Sequence, residues 1–182
     1  MNRFSDKVVV ITGGSSGIGL AAAQAFEAEG ANVVVTGRNP ETLAAAAKVL
    51  SRRAITVKAD VTSGADLDLL FETVRRSHGR IDVLFVNAGV AKLSPLENTS
   101  EALFDEMMGT NFRGAYFTVQ KALPLLTDGG AIVFTTSYFD RVGIAGTSAV
   151  SASKAALRSL TRTLASELLS RGIRVNRSAP VS

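Results

Sequence analysis

Near its N-terminus, between a short apolar run and an amphipathic stretch, the chain reads Thr12-Gly13-Gly14-Ser15-Ser16-Gly17-Ile18-Gly19. Gly13, Gly17 and Gly19 permit positive φ and let backbone N–H groups approach an anion closely. If a helix begins after them, those amides sit at its N-terminus, where the dipole favours a diphosphate. Their spacing, G-x-x-x-G-x-G, departs from the G-x-G-x-x-G of many dinucleotide-binding turns. A glycine-rich turn alone is a weak signal. Placed between a buried first strand and an amphipathic helix, it points to dinucleotide binding. The second strand then ends Thr36-Gly37-Arg38-Asn39. An acid there would accept from the adenosine 2′-OH and repel a 2′-phosphate, whereas Arg38 can make a charge-assisted contact with that phosphate. NADP(H) is therefore expected in preference to NAD(H).

The elements that must position these groups follow from hydrophobic periodicity. Strands are expected over 7–12, 32–36, 55–59, 81–86, 131–135 and 173–176. Helices are expected from about Gly17 to Glu29, from Pro40 through Leu50, and after a cap at Thr62 or Ser63, where Leu67, Leu70, Phe71 and Val74 share one face. A long helix should run from Ser100 toward Pro124, and another from Ser148 to Ser170. This βαβ alternation implies right-handed crossovers. It predicts an α/β fold, a Rossmann-type doubly wound parallel sheet of order 3-2-1-4-5-6 with helices on both faces. All 182 residues then form a single domain, with no internal repeat or linker.

Composition narrows the chemistry. There is no Cys, which excludes disulfides and thiolate catalysis, and no His, Asp and Glu cluster has metal-ligand spacing, so no metal is expected. The formal charge is +4, but the charges are mixed along the chain. Without a basic block or an aromatic-studded stripe, nucleic acid is not an expected partner. No run approaches membrane-spanning length, so no membrane association and a cytoplasmic location are expected. Lone His78, before Gly79 at a helix end, reads as a capping or surface residue.

Further residues now carry a resemblance. Asp60-Val61 follows strand three, Asn87-Ala88-Gly89 follows strand four, and Asn111 lies in the long fourth helix. Ser137 follows strand five, Lys154 lies in the next helix, and Arg174-Val175-Asn176 forms strand six. Together with T-G-x-x-x-G-I-G, this order resembles the single-domain short-chain dehydrogenase/reductase family over essentially the whole chain. The resemblance implies that Asp60 holds the adenine amino group, the Val61 backbone holds the ring, and Asn87-Ala88-Gly89 lines the cofactor cleft and braces the sheet. It also implies that Ser137 holds a carbonyl oxygen, Lys154 contacts the nicotinamide ribose, and Asn111 positions a water. The substrate would be a small carbonyl or alcohol, and copies would associate as dimers or tetramers through the two long helices.

Two departures temper this. The family carries a proton-passing tyrosine four residues before the lysine, and that slot here holds Val150. Losing a general acid–base group typically costs about 10²–10⁴-fold. Tyr138 should face away from Ser137, and Ser151 is rotated about 100° from the slot. The family also continues beyond strand six with a further strand and a substrate-covering segment, so strand six is expected as an open edge. Three readings follow from these residues: an oxidoreductase with impaired activity, a nucleotide-binding or oligomer-modulating protein without turnover, and a structural remnant that dimerises.

Overall fold

The computed structural model describes residues 2–180. Strands β1 (Val8–Thr12), β2 (Asn32–Gly37), β3 (Ile55–Lys58), β4 (Ile81–Val86), β5 (Leu126–Thr135) and β6 (Arg174–Ser178) alternate with helices α1 (Gly17–Ala28), α2 (Pro40–Val49), α3 (Gly64–Ser77), α4 (Glu101–Met108), α5 (Ala115–Ala122) and α6 (Ser148–Glu167). The strands form one parallel sheet in the order β3-β2-β1-β4-β5-β6. Period-two alternation divides each central strand between two apolar layers. Val10, Val34, Leu84, Ile132 and Phe134 face a cluster shared with α3, α5 and α6. Val9, Ile11, Val33, Val35 and Phe85 face the opposite layer, with Ala23 of α1 and Ala46 of α2. Near-continuous Val/Ile runs are what a sheet covered on both faces requires.

The strand order reverses beside β1, because β2 and β4 flank it on opposite sides. Their connections leave in opposite directions and open a crevice at the carboxyl ends, where ligands of such sheets bind. At the amino ends a polar clamp sets the register of β1 against β4. The Asp82 carboxylate accepts from the Val8 amide at 2.9 Å, Lys7 Nζ at 3.0 Å and Arg80 Nε at 3.1 Å. Burial works against this charge, but the Val8 amide, Lys7 and Arg80 outweigh it and hold the carboxyl below its ordinary value.

The helix expected from Ser100 toward Pro124 is not continuous. Ser100 caps α4, but a π-helical turn at Gly109–Gly114 interrupts the run before α5, which ends at Ala122. Such a turn absorbs one extra residue and re-aims side chains, and it is common at functional sites. Strand five begins at Leu126, five residues before its expected start, with a register shift against β4 between Ile81 and Val83. The last helix stops at Glu167 and gives way to a 3-10 turn at Leu169–Arg171. Ser63, not Thr62, caps α3, and His78 is its C-terminal cap. Among the described residues no helix is long and apolar enough to cross a membrane.

Replacing Asp82 by Asn should lower stability by about 1–2 kcal/mol at neutral pH, since charge-assisted bonds weaken and Lys7 and Arg80 are half exposed. The carboxylate's contribution is present above its unfolded value of 3.8 and is lost as pH falls through the lower folded value. Thermal melts of both proteins should therefore converge in strong acid.

Candidate functional site

The glycine turn is set by contacts that exclude side chains. A Cβ on Gly13 (φ +64°) would lie 2.8 Å from Ala88 Cα, and one on Gly14 would lie 2.7 Å from Val35 Cβ. One on Gly19 would overlap the Gly13 carbonyl oxygen. Asn87 locks the turn from the side. Its Nδ2 donates to the Gly13 carbonyl at 3.1 Å, and its Oδ1 accepts from Thr135 Oγ1 at 2.9 Å. Thr12 Oγ1 accepts from the Asn87 and Ala88 amides, both at 3.1 Å. The ends of β1, β4 and β5 are thus tied together through one asparagine.

Helix α1 differs from α2, α3 and α4 at its N-terminus, as α5 and α6 also do. Asn39 caps α2, Ser63 caps α3 and Ser100 caps α4 with side-chain oxygens. Ser16 makes no such bond, and the first turn of α1 carries no acid. The orphan amides and the positive dipole end are left for an anion from outside.

This end of α1 opens on a cleft of about 530 Å³, within the usual range for small-molecule sites. Of the expected residues, Gly13, Ser15, Ser16, Ile18, Arg38, Asp60, Val61, Asn87, Ala88, Gly89 and Lys154 line it. Gly17 and Gly19 shape the turn without lining the cleft. Arg38 is exposed at the rim, beside Asn39 and Thr42, and Thr42 Oγ1 lies 3.1 Å from Ser15 Oγ. The Asp60 carboxylate accepts from Thr62 N at 2.9 Å and Thr62 Oγ1 at 2.8 Å, which fixes the turn after β3. Val61 is buried against Gly114, where a Cβ would come within 2.7 Å of Val61 Cγ2.

Asn111 lies in the π turn. Fully buried, it sits one layer behind the cleft wall. Its Nδ2 donates to Val90 O at 2.9 Å and Ser153 Oγ at 3.0 Å, and its Oδ1 accepts from Val90 N at 2.8 Å. Gly89 brings the deep end together, since a Cβ there would lie 3.1 Å from Asn111 Oδ1 and 3.3 Å from Lys154 Nζ. Lys154 donates to the Thr135 carbonyl at 2.9 Å. Burial pushes its ammonium down to about 8.

Ser137 stands beside the cleft without lining it. Its hydroxyl accepts from Phe139 N at 3.3 Å, capping a 3-10 turn at Tyr138–Asp140. Arg177 of β6 holds this turn in place, with Nη1 donating to Thr136 Oγ1 at 3.2 Å and lying 3.4 Å from Asp140 Oδ2. Tyr138, 47% exposed, does not line the cleft. Ser151 Oγ donates to Phe139 O at 2.6 Å. Val150 is buried with Met107 and Ala149, against which Val90, Leu103 and Phe139 pack. Sequence reasoning named Thr12 only as part of the glycine motif and missed Thr135; a threonine at the carboxyl end of a strand beside the switch point was the available signal.

The lowered Lys154 value has a consequence for stability. Between about 8 and the ordinary 10.5 the unfolded chain binds the extra proton, so stability from this group rises with pH across that window. A Lys154→Met variant lacks the term. On raising pH from 8 to 10.5, the parent should gain roughly 3 kcal/mol on the variant in denaturant titrations.

Comparison with known proteins agrees with this geometry. Residues 7–182 match the family model described as short chain dehydrogenase. The chain is 42% identical over 184 residues to the oxidoreductase asL5 of Sarocladium schorii, covering 100% of this chain and 74% of that protein. It is 36% identical over 186 residues to levodione reductase of Leifsonia aquatica, covering 98% and 70%. A short chain dehydrogenase from Burkholderia cenocepacia, solved in complex with NADP, superposes with a TM-score of 0.93 at 36% identity, covering 99% and 76% of the two chains. The chain belongs to the short-chain dehydrogenase family.

Proposed function

We propose that this chain is an NADP(H)-dependent oxidoreductase acting on a small carbonyl/alcohol pair, with activity lowered by Val150. The observation that carries this reading is the uncapped N-terminus of α1 opening onto the same cleft as Lys154. The cradle around Gly13 and Gly19 suits a diphosphate because no side chain can enter it. When bound, the dinucleotide supplies or accepts a hydride. The chain's residues do the rest. The turn amides hold the diphosphate, Asp60 and Val61 hold the adenine, and Arg38 reaches the 2′-phosphate. Lys154 holds the nicotinamide ribose, Ser137 receives the substrate oxygen, and Asn111 keeps the deep wall in place. The NADP bound by the Burkholderia protein supports the cofactor, and the absence of an acid after β2 supports its phosphorylated form. Association of copies through α4–α5 and α6, where Phe104 is 45% and Tyr116 43% exposed, belongs to the same reading.

A second reading has its own support. With Val150 enclosed by apolar side chains, the chain would bind the dinucleotide without turnover.

Calorimetry should find NADPH bound more tightly than NADH. Arg38→Ala should weaken NADPH about 10–100-fold, as expected for a charge-assisted bond, and leave NADH nearly unchanged. Equal affinity for the two nucleotides would defeat the role given to Arg38. Val150→Tyr should raise aldehyde or ketone reduction about 10²-fold or more, the share of a general acid. Tight NADPH binding with no reduction by either protein would favour the second reading.

A further inference from the structure

The Asn87 side chain can stand only one way round. Its Nδ2 donates to the Thr12 carbonyl at 3.3 Å and to the Gly13 carbonyl at 3.1 Å, and both oxygens only accept. Turning the amide over would set its own oxygen against them. Oδ1 therefore faces β5, where it needs a donor, and the Thr135 hydroxyl supplies one at 2.9 Å. That hydroxyl has a single proton, and Asn87 takes it. Thr135 is 9% exposed, and its β-branched side chain has few rotamers open to it, so the donor stays aimed. The carbonyl of the same residue accepts from Lys154 Nζ at 2.9 Å. Ladder pairing with Ser178 of β6 keeps this stretch of backbone from turning.

We propose that Thr135 is a positioning residue for the dinucleotide: its hydroxyl orients the amide that holds the diphosphate cradle, and its carbonyl seats the lysine at the deep end. The inference rests on the nucleotide-binding reading above. A dinucleotide meets both ends of the cleft at once, so the spacing between the cradle and Lys154 must be kept. Strands β1, β4 and β5 lie side by side. The bonds from Gly13 to Asn87, from Asn87 to Thr135 and from Thr135 to Lys154 cross all three. Each of these residues lines the cleft.

Loss of the hydroxyl has a specific consequence. Valine has nearly the shape of threonine but sets a methyl group against Oδ1, and a buried acceptor without a partner is costly. The amide then turns or withdraws, and the Gly13 carbonyl loses the donor that fixes it. The start of α1 rests on the same amide, since a Cβ on Gly19 would lie 2.6 Å from Asn87 Nδ2. The cradle amides lose their aim, and a ligand must order them again on binding. The rim at Arg38 and Asp60 follows β2 and β3, on the far side of β1, and is left as it was.

The test separates the cradle from the rim by titrating NADPH, 2′-phospho-ADP-ribose, which keeps the diphosphate but lacks nicotinamide, and 2′-AMP, which lacks the diphosphate. Thr135→Val should weaken the first two about tenfold or more and 2′-AMP by less than about threefold. Thr135→Ser keeps the donor and should bring both back to within about threefold of the parent. Equal weakening of all the probes, which a merely loosened fold would give, overturns the proposal. So does unchanged NADPH affinity in the valine variant, or a serine variant as weak as valine. If Thr135→Val does not fold, NMR of the parent decides. The Asn87 side-chain amide protons should exchange with water at least about tenfold more slowly than those of exposed Asn98, and should shift with 2′-phospho-ADP-ribose but not with 2′-AMP. Exchange as fast as that of Asn98, or no such shift, overturns the proposal. Each of these failures leaves the dinucleotide reading standing, whereas a parent that binds no NADPH overturns both.

Discussion

The Gly13 carbonyl oxygen occupies the place where a side chain at residue 19 would stand. Much of the site depends on that exclusion. With Gly19 bare, helix α1 can start tight against the end of β1, and its unpaired amides face the crevice. With Gly13 at positive φ and pressed on Ala88, the turn cannot drift from β4. Asn87 then converts a steric fit into a bonded one, because its amide reaches the Gly13 carbonyl and Thr135 together. A backbone cradle of this kind is preorganised, so a bound diphosphate meets donors already aimed at it.

The cleft is built by different means at its two ends. Toward the glycine turn, recognition is assigned to backbone and to an exposed rim cation, Arg38. At the deep end it depends on buried polar side chains that satisfy one another. Asn111 bonds to Val90 and Ser153, and Lys154 bonds to Thr135. An unpaired amide at full burial would cost about 1–3 kcal/mol, so the π turn that aims Asn111 is tied to the contacts it makes. Val150 interrupts this polar wall with an apolar one. It packs among Met107, Ala149, Val90, Leu103 and Phe139.

The strands and the first three helices were legible because their signals are local. The Val/Ile runs at 8–12, 32–37 and 81–86 have a period of two or are continuously apolar, and each is bounded by Gly, Asn or Asp. The strand order followed from βαβ handedness. The glycine turn, Arg38, Asp60 and Asn87 were legible by position, since each stands at the carboxyl end of a strand. The π turn was not, because inserting one residue in a helix changes no composition and disturbs periodicity by less than the apolar pattern scatters. Nor was the early start of β5, where Leu126 pairs with Ile81 ahead of an irregularity that the ladder leaves only at Ala131. The clasp of Arg177 on Thr136 and Asp140 joins residues about forty positions apart. Only the folded sheet brings them together. Tyr138 was judged by strand alternation, but a 3-10 turn begins there and alternation no longer applies.

The central claim is that the backbone of residues 13–19 receives a dinucleotide diphosphate. Hydrogen exchange of that segment, read by mass spectrometry with and without NADPH, tests it most directly. Exchange there should slow at least tenfold on saturation, while the amino ends of the strands remain unchanged. Unaltered exchange across 13–19 with NADPH demonstrably bound would place the nucleotide elsewhere and contradict the account.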